Sequence, residues 1–174
     1  MENIILVKPK EELNNAAMEY KQEHLENEEK VLHGSSLLDQ LPYDEWLELV
    51  KNNSSVKTVT SDWVPASTFF AVRKSDNKIV GMIDIRHCLN DFLKNYGGHI
   101  GYGVRPSERC KGYASQMLQL GLEYCKTMGL DKVMLSCYED NEASRKTIVK
   151  CGGVLEREFV YSDGKTVQVF WITI

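Results

Sequence analysis

One change of hydrophobic spacing limits the folds open to this chain. Residues 99–104 (HIGYGV) alternate as a strand that stops at Pro106, and residues 132–138 (KVMLSCY) form a second strand. Between them, Ala114, Leu118, Gly121, Cys125 and Met128 recur at helical spacing across residues 112–128, with Gly129 as the stop. A strand–helix–strand unit implies a parallel pair with a right-handed crossover. The flanks ask for the opposite relation. Residues 68–73 (TFFAVR) and 79–86 (IVGMIDIR) enclose Lys74-Ser75-Asp76-Asn77-Lys78, and residues 154–161 and 166–174 enclose Ser162-Asp163-Gly164-Lys165, so both pairs read as antiparallel hairpins. Upstream lie a short strand (residues 3–7), a polar helix (10–30) and a short amphipathic helix (43–50). Downstream, residues 141–151 form a helix capped by Asp140 or Asn141 and ended by Gly152 and Gly153. The order β-α-α-β-β-β-α-β-α-β-β predicts an α+β fold. Its sheet is mixed, mostly antiparallel and twisted, flanked by helices on both faces, and it is not a doubly wound dinucleotide fold.

The loop after the central strand carries the chemistry. Residues 101–115 read GYGVRPSERCKGYAS. A helix start presents backbone N–H groups without intrahelical partners, together with the positive end of its dipole. Gly112 lets an anion approach the backbone, Ala114 leaves the first turn uncrowded, and Arg109 and Lys111 add charge, which together suit a pyrophosphate cradle. An ordinary strand-to-helix connection accounts for the same residues. No Gly-Lys-Ser/Thr ends the loop and no G-x-G-x-x-G occurs, so neither a Walker A loop nor a Rossmann fingerprint is present. G-x-S-x-G, H-E-x-x-H and EF-hand patterns are also missing, leaving hydrolase and metal sites without support.

Arg109-x-x-Gly112-x-Ala114, after a strand ending Val104-x-Pro106, resembles the coenzyme A pyrophosphate motif of the GNAT superfamily of N-acetyltransferases. Asn141-Glu-Ala-Ser144, a short helix and then Gly152-Gly153-Val154 resemble that family's second signature. The resemblance spans roughly residues 68–174 and implies a GNAT-like acyl-CoA N-acyltransferase fold, consistent with the strand order. It implies acetyl-CoA (coenzyme A) as cosubstrate, no metal, and direct transfer of the acetyl group to a primary amine in a ternary complex. In that arrangement the strand at 99–104 splays from the strand at 132–138, and pantetheine lies in the opening. Backbone groups of Tyr102 and Val104 would meet the pantetheine amides and the thioester carbonyl, where an N–H stabilises a developing oxyanion. Arg109, Cys110, Lys111, Gly112, Tyr113, Ala114 and Ser115 would hold the pyrophosphate, with Asn141 and Ser144 on the other side. One position departs: relatives often carry Tyr seven residues after the Asn, and this chain has Ile148. The proton for the departing thiolate then comes from water, from Tyr138, or from no protein group, since a thiol of pKa roughly 8.5 leaves without much help. A non-catalytic coenzyme A or acyl-CoA binding module is the alternative.

Transfer to an amine needs a base, and histidine is the side chain suited to take a proton near neutral pH. His87 ends one strand and His99 opens the next, which makes both candidate bases, although a loop-anchoring hydrogen bond is the more ordinary use of either. Asp84, Glu108 and Glu139 are weaker candidates. The acceptor is expected against the N-terminal helices and residues 87–98. There Asp39, Asp44, Glu45, Glu48 and Asp91 mix with Tyr43, Trp46, Phe92 and Tyr96, a set that suits a cationic amine or simply forms a solvated helix face.

The 174 residues are expected to form one domain, with residues 1–66 as the acceptor side and 67–174 as the coenzyme A-binding core. Lys plus Arg (21) against Asp plus Glu (25) leaves a net charge of −4, which gives no drive toward nucleic acid or an anionic membrane. No signal-peptide pattern or long apolar run occurs. Cys88, Cys110, Cys125, Cys137 and Cys151 are odd in number without C-x-x-C spacing, which suits reduced thiols in the cytoplasm. The expected partner is a small-molecule or peptide amine, with a homodimer left open.

Overall fold

In the computed structural model, which describes residues 2–174, seven strands and four helices alternate in the expected order. They are β1 (Ile4–Val7), α1 (Asn14–Glu26), α2 (Tyr43–Asn53), β2 (Ala66–Arg73), β3 (Ile79–Arg86), β4 (Ile100–Val104), α3 (Tyr113–Thr127), β5 (Lys132–Tyr138), α4 (Glu142–Lys150), β6 (Val154–Val160) and β7 (Thr166–Thr173). β1-β2-β3-β4 form one antiparallel sheet, and β5-β7-β6 form another. Among the described residues no helix is long and apolar enough to cross a membrane.

Alternation along β2 and β3 builds two cores. Phe69, Ala71, Ile83 and Ile85 face α3, where Tyr113, Met117, Leu118 and Cys125 are buried with them. Phe70, Val72 and Met82 face the other way and join Ala17 and Tyr20 of α1 with Tyr43 and Trp46 of α2. The period-two pattern of these strands therefore separates the helices onto opposite faces.

The crossover through α3 is present, but β4 and β5 do not zip into the parallel ladder that a strand–helix–strand unit suggests. The two sheets share a core, and among the described residues their strands are hydrogen-bonded at one junction. Gly98 bridges Leu135, the His99 N–H donates to the Met134 carbonyl (2.8 Å), and the Met134 N–H donates to His99 Nδ1 (3.0 Å). Beyond it the strands part.

Ion pairs pin the loop that follows β4. Glu108 is 3% exposed and accepts from Arg73 (2.8 Å), Lys78 (2.8 Å) and Lys111 (2.9 Å). Burial works to raise its pKa, yet the hydrogen bonds from Lys78, Lys111 and Arg73 win and hold it at about 2. Glu23 is likewise held at about 2 against its burial, by Arg105 and the Ser107 N–H. These groups set an acid limit. A carboxylate with a depressed folded pKa contributes stability that is full above about pH 4.5 and is lost as pH falls through 2. His99, lowered to about 4 first by burial and then by Arg86, starts the loss earlier, because the unfolded chain takes that proton near 6.5. Asp84, raised by burial, works in the opposite sense. Thermal unfolding from about pH 8 to 3 is expected to show Tm falling below pH 6.5 and more steeply below 4.5; a flat profile would contradict these assignments.

Candidate functional site

The antiparallel ladder decides which backbone groups of β4 are spent. The Arg86 N–H donates to the His99 carbonyl and the Arg105 N–H to the Val80 carbonyl (both 2.8 Å), so the odd-numbered residues of β4 bond to β3. The N–H and C=O groups of Ile100, Tyr102 and Val104 point away, into the gap before β5. That gap widens into a cleft of about 1360 Å³, lined by β4, β5, the starts of α3 and α4, and a strap at residues 28–34. Its volume exceeds the roughly 300–1,000 Å³ of common small-molecule pockets. The strap lies directly on β4: a Cβ at Gly103 would come 2.6 Å from the His33 carbonyl oxygen, and one at Gly34 would come 2.7 Å from that of Gly101.

At the floor of the cleft α3 begins. Gly112 adopts φ +84° and offers no side-chain cap, and Cys110 before it adopts φ +60°. Among the described residues the Tyr113, Ala114 and Ser115 N–H groups have no acceptor; the Gln116 N–H donates to the Gly112 carbonyl (3.3 Å). Gly112, Tyr113, Ala114 and Ser115 all line the cleft. An uncapped helix end of this kind has the free donors and the dipole to receive an anion. Arg109 stands beside it, with Nη1 and Nη2 on the two oxygens of Glu29 (2.6 and 2.7 Å) and Nε on the Val104 carbonyl (3.1 Å). Arg109 is the main reason that Glu29 is held at about 2. Lys111 does not join the cleft; its ammonium is turned onto Glu108.

Across the gap, Asn141 caps α4, its Oδ1 accepting the Ser144 N–H (3.1 Å). The Tyr102 hydroxyl lies 3.0 Å from Ser144 Oγ, and burial pushes its pKa up to about 12. Ile148 is 1% exposed and packs into the α3-side core, so it presents nothing to the cleft. Tyr138 lines the cleft, but its hydroxyl donates to Asp163 Oδ2 (2.9 Å), which raises its pKa.

The two histidines singled out by sequence lie outside the cleft. His87 Nε2 is 2.8 Å from Ser67 Oγ, itself 3.0 Å from the Tyr124 hydroxyl, which anchors the end of β3. His99 is 5% exposed and clamps Met134; burial keeps it neutral. His33 on the strap is the histidine that lines the cleft. In the sequence it falls in the break between two helices, where no periodicity assigns a facing side. The acidic set expected at the acceptor side is also elsewhere. Asp39, Asp44, Glu45, Glu48 and Asp91 do not line the cleft, while Trp46 is buried and Tyr43 donates to the Lys10 carbonyl (2.7 Å). Of that group Phe92 and Tyr96 are lining residues.

Comparison with known proteins bears on the family and the fold. The sequence model of the Acetyltransferase (GNAT) family matches residues 35–152. The uncharacterized N-acetyltransferase YoaA of Bacillus subtilis (strain 168) is 30% identical over 97 residues, 53% of this chain and 52% of the relative, so the chain spans about half the length of that curated relative. The fold is similar to that of the microcin C7 self immunity acetyltransferase MccE, solved in complex with acetyl-CoA and AMP (TM-score 0.71, 18% identity, 100% of this chain and 94% of that one). It is also similar to RimL, the ribosomal L7/L12 alpha-N-protein acetyltransferase in complex with coenzyme A (TM-score 0.70, 19% identity, 99% and 98% covered).

Proposed function

This chain belongs to the GNAT family of acetyltransferases, and on that premise we propose that it moves the acetyl group of acetyl-CoA to a primary amine by direct attack in a ternary complex. The observation that carries the reading is the splay of β4 from β5 above an uncapped helix start. The N–H groups of Tyr113, Ala114 and Ser115, with Gly112 leaving the backbone open, take the pyrophosphate, and Arg109 and Cys110 flank it. The free edge of β4 at Tyr102 and Val104 pairs with pantetheine, while Asn141 and Ser144 wall the opposite side. Acetyl-CoA supplies an activated thioester; the amine nitrogen bonds to its carbonyl carbon, the C–S bond breaks, and coenzyme A leaves as the thiol. The outward N–H groups of β4 are the donors for the developing oxyanion, while the Val104 carbonyl accepts from Arg109 Nε. The absence of protonating groups at Ile148 leaves the thiolate to solvent or to Tyr138.

His33 is the base in this reading: it lines the cleft, and no side-chain hydrogen bond engages its ring among the described residues. His33→Ala is expected to lower kcat/KM by about 100-fold. The affinity for acetyl-CoA should not change. A loss of only a few-fold would remove His33 from the role. The five unpaired cysteines support a reducing, cytoplasmic setting. Calorimetry with acetyl-CoA and thiol release across an amine panel test the whole proposal. No binding sinks it, and binding without any turnover leaves the non-catalytic module.

A further inference from the structure

The cleft is lined by charged side chains of both signs, and one of its cations is only loosely held. Arg86 lies at the end of β3 on the face shared with Asp84, opposite the α3 side of the sheet, and its side chain is 26% exposed. Its guanidinium sits over β4: a Cβ at Gly101 would lie 3.7 Å from Nη2 and 3.8 Å from Nη1, and 3.8 Å from the Gly34 Cα. The contacts that hold it are long. Nη1 reaches the Gly97 and Gly98 carbonyls at 3.5 and 3.3 Å, and Nε is 3.6 Å from Asp84 Oδ2. Asp84 is itself engaged by Thr68 Oγ1 (2.9 Å). Nη2 has no hydrogen-bond partner among the described residues, and Arg86 lines the cleft. A guanidinium can grip a carboxylate through two parallel N–H donors, so this one has unused capacity for an anion.

The segment whose carbonyls steady Arg86 also brings an aromatic wall. Tyr96 packs against Phe92 (centroids 5.3 Å apart) and Tyr161 (5.2 Å), and all three rings line the cleft. Phe92 is 57% exposed and Tyr96 is 41% exposed, which is costly for large rings unless something covers them. This end of the cleft lies away from the α3 start, where Arg109 and the free N–H groups are found. Carboxylates also line the cleft: Glu29 is spent on Arg109, Glu108 on Arg73, Lys78 and Lys111, and Glu142 on Arg145 and Lys146, while Glu28 lies on the strap.

We propose that the acceptor is an amine that also carries a carboxylate and an apolar or aromatic side chain, an amino acid or short peptide, with the carboxylate on Arg86 and the side chain against Phe92, Tyr96 and Tyr161. The inference rests on the acetyl-transfer reading and narrows it. It replaces the cationic amine suggested by the acidic residues of the N-terminal helices, since those residues lie outside the cleft.

Matched acceptors test it without any variant. Thiol release is measured with phenylalanine and with phenethylamine, which lacks the carboxylate, alongside spermidine as a cationic acceptor. Binding of N-acetylphenylalanine and N-acetylphenethylamine to the coenzyme A-loaded protein is followed by calorimetry. The carboxylate-bearing partner of each pair is expected to be favoured by about 10- to 100-fold. Arg86→Gln should bring the ratio of phenylalanine to phenethylamine use close to one, and Arg86→Lys should restore part of the preference. Equal use of the pair, preference for spermidine, a preference indifferent to Arg86→Gln, or no interaction with either carboxylate compound overturns the inference. Failure to bind acetyl-CoA overturns the acetyl-transfer reading itself, so the two failures are distinguishable.

Discussion

Replacing Gly112 with Asp is expected to raise the Kd for acetyl-CoA by about 1000-fold or more, because it places a carboxylate where a pyrophosphate must sit. Three charge-assisted N–H contacts at roughly 1.5–3 kcal/mol each hold such a group, and the helix dipole adds to them. A side chain at Gly112 blocks the approach to the backbone, and a negative one also repels the ligand. The backbone itself tolerates the change better than most. Gly112 sits at φ +84°, and Asp and Asn are the residues other than glycine that adopt this region most readily. Gly112→Asn is therefore the control: it has the same shape and a similar folding cost, without the charge. It should weaken binding about 10- to 100-fold, with a Tm matching that of Gly112→Asp. Binding by Gly112→Asp within tenfold of the wild type would mean that the ligand does not use this helix end.

Gly98→Ala should produce the largest loss of stability from a single methyl group. Gly98 holds φ +66° with ψ −170°, a region open essentially to glycine alone. A Cβ there would lie 2.5 Å from the Met134 carbonyl oxygen and 2.9 Å from its carbon. β5 cannot retreat cheaply, because His99 grips Met134 through both its N–H and its Nδ1. The expected cost is about 3–5 kcal/mol, which for a chain of this size lowers Tm by roughly 6–20 °C. Gly129→Ala gives the cost of a positive φ without a clash, since Gly129 has φ +79° and nothing among the described residues within 4 Å of an added Cβ. Its cost should stay near 1 kcal/mol. Equal losses at the two positions would show that the junction yields. The junction also sets the mouth of the splay, so Gly98→Ala should weaken acetyl-CoA binding where Gly129→Ala does not.

Much of this architecture was legible because it depends on short-range chemistry. The alternation of Phe69, Phe70, Ala71 and Val72 assigns faces without any knowledge of partners. The spacing from Arg109 to Ala114 marks a strand-to-helix turn wherever it occurs. The Asn141 cap follows from the same local logic, and the structure chooses it over Asp140. The histidines were not legible in this way. His87 and His99 sit next to strand ends in sequence, yet their rings turn to Ser67 and Met134, partners 20 and 35 residues away. His33 carried no pattern, and it reaches the cleft because the strap lies across Gly101 and Gly103. Lys111 is adjacent to the helix start but spends its charge on Glu108 beneath the loop.

By itself the sequence determined the elements, their order, the glycine-led helix start after β4 and the family to which the chain belongs. Each of these rests on residues close together in the chain, where backbone geometry and hydrophobic period act directly. Only the tertiary structure decided that β4 and β5 part beyond Gly98, that the cleft wall carries Arg86 and three aromatic rings rather than the acidic helix residues, and that His33 is the histidine on the site. Those outcomes depend on which surfaces pack together, and packing joins residues that no local spacing relates.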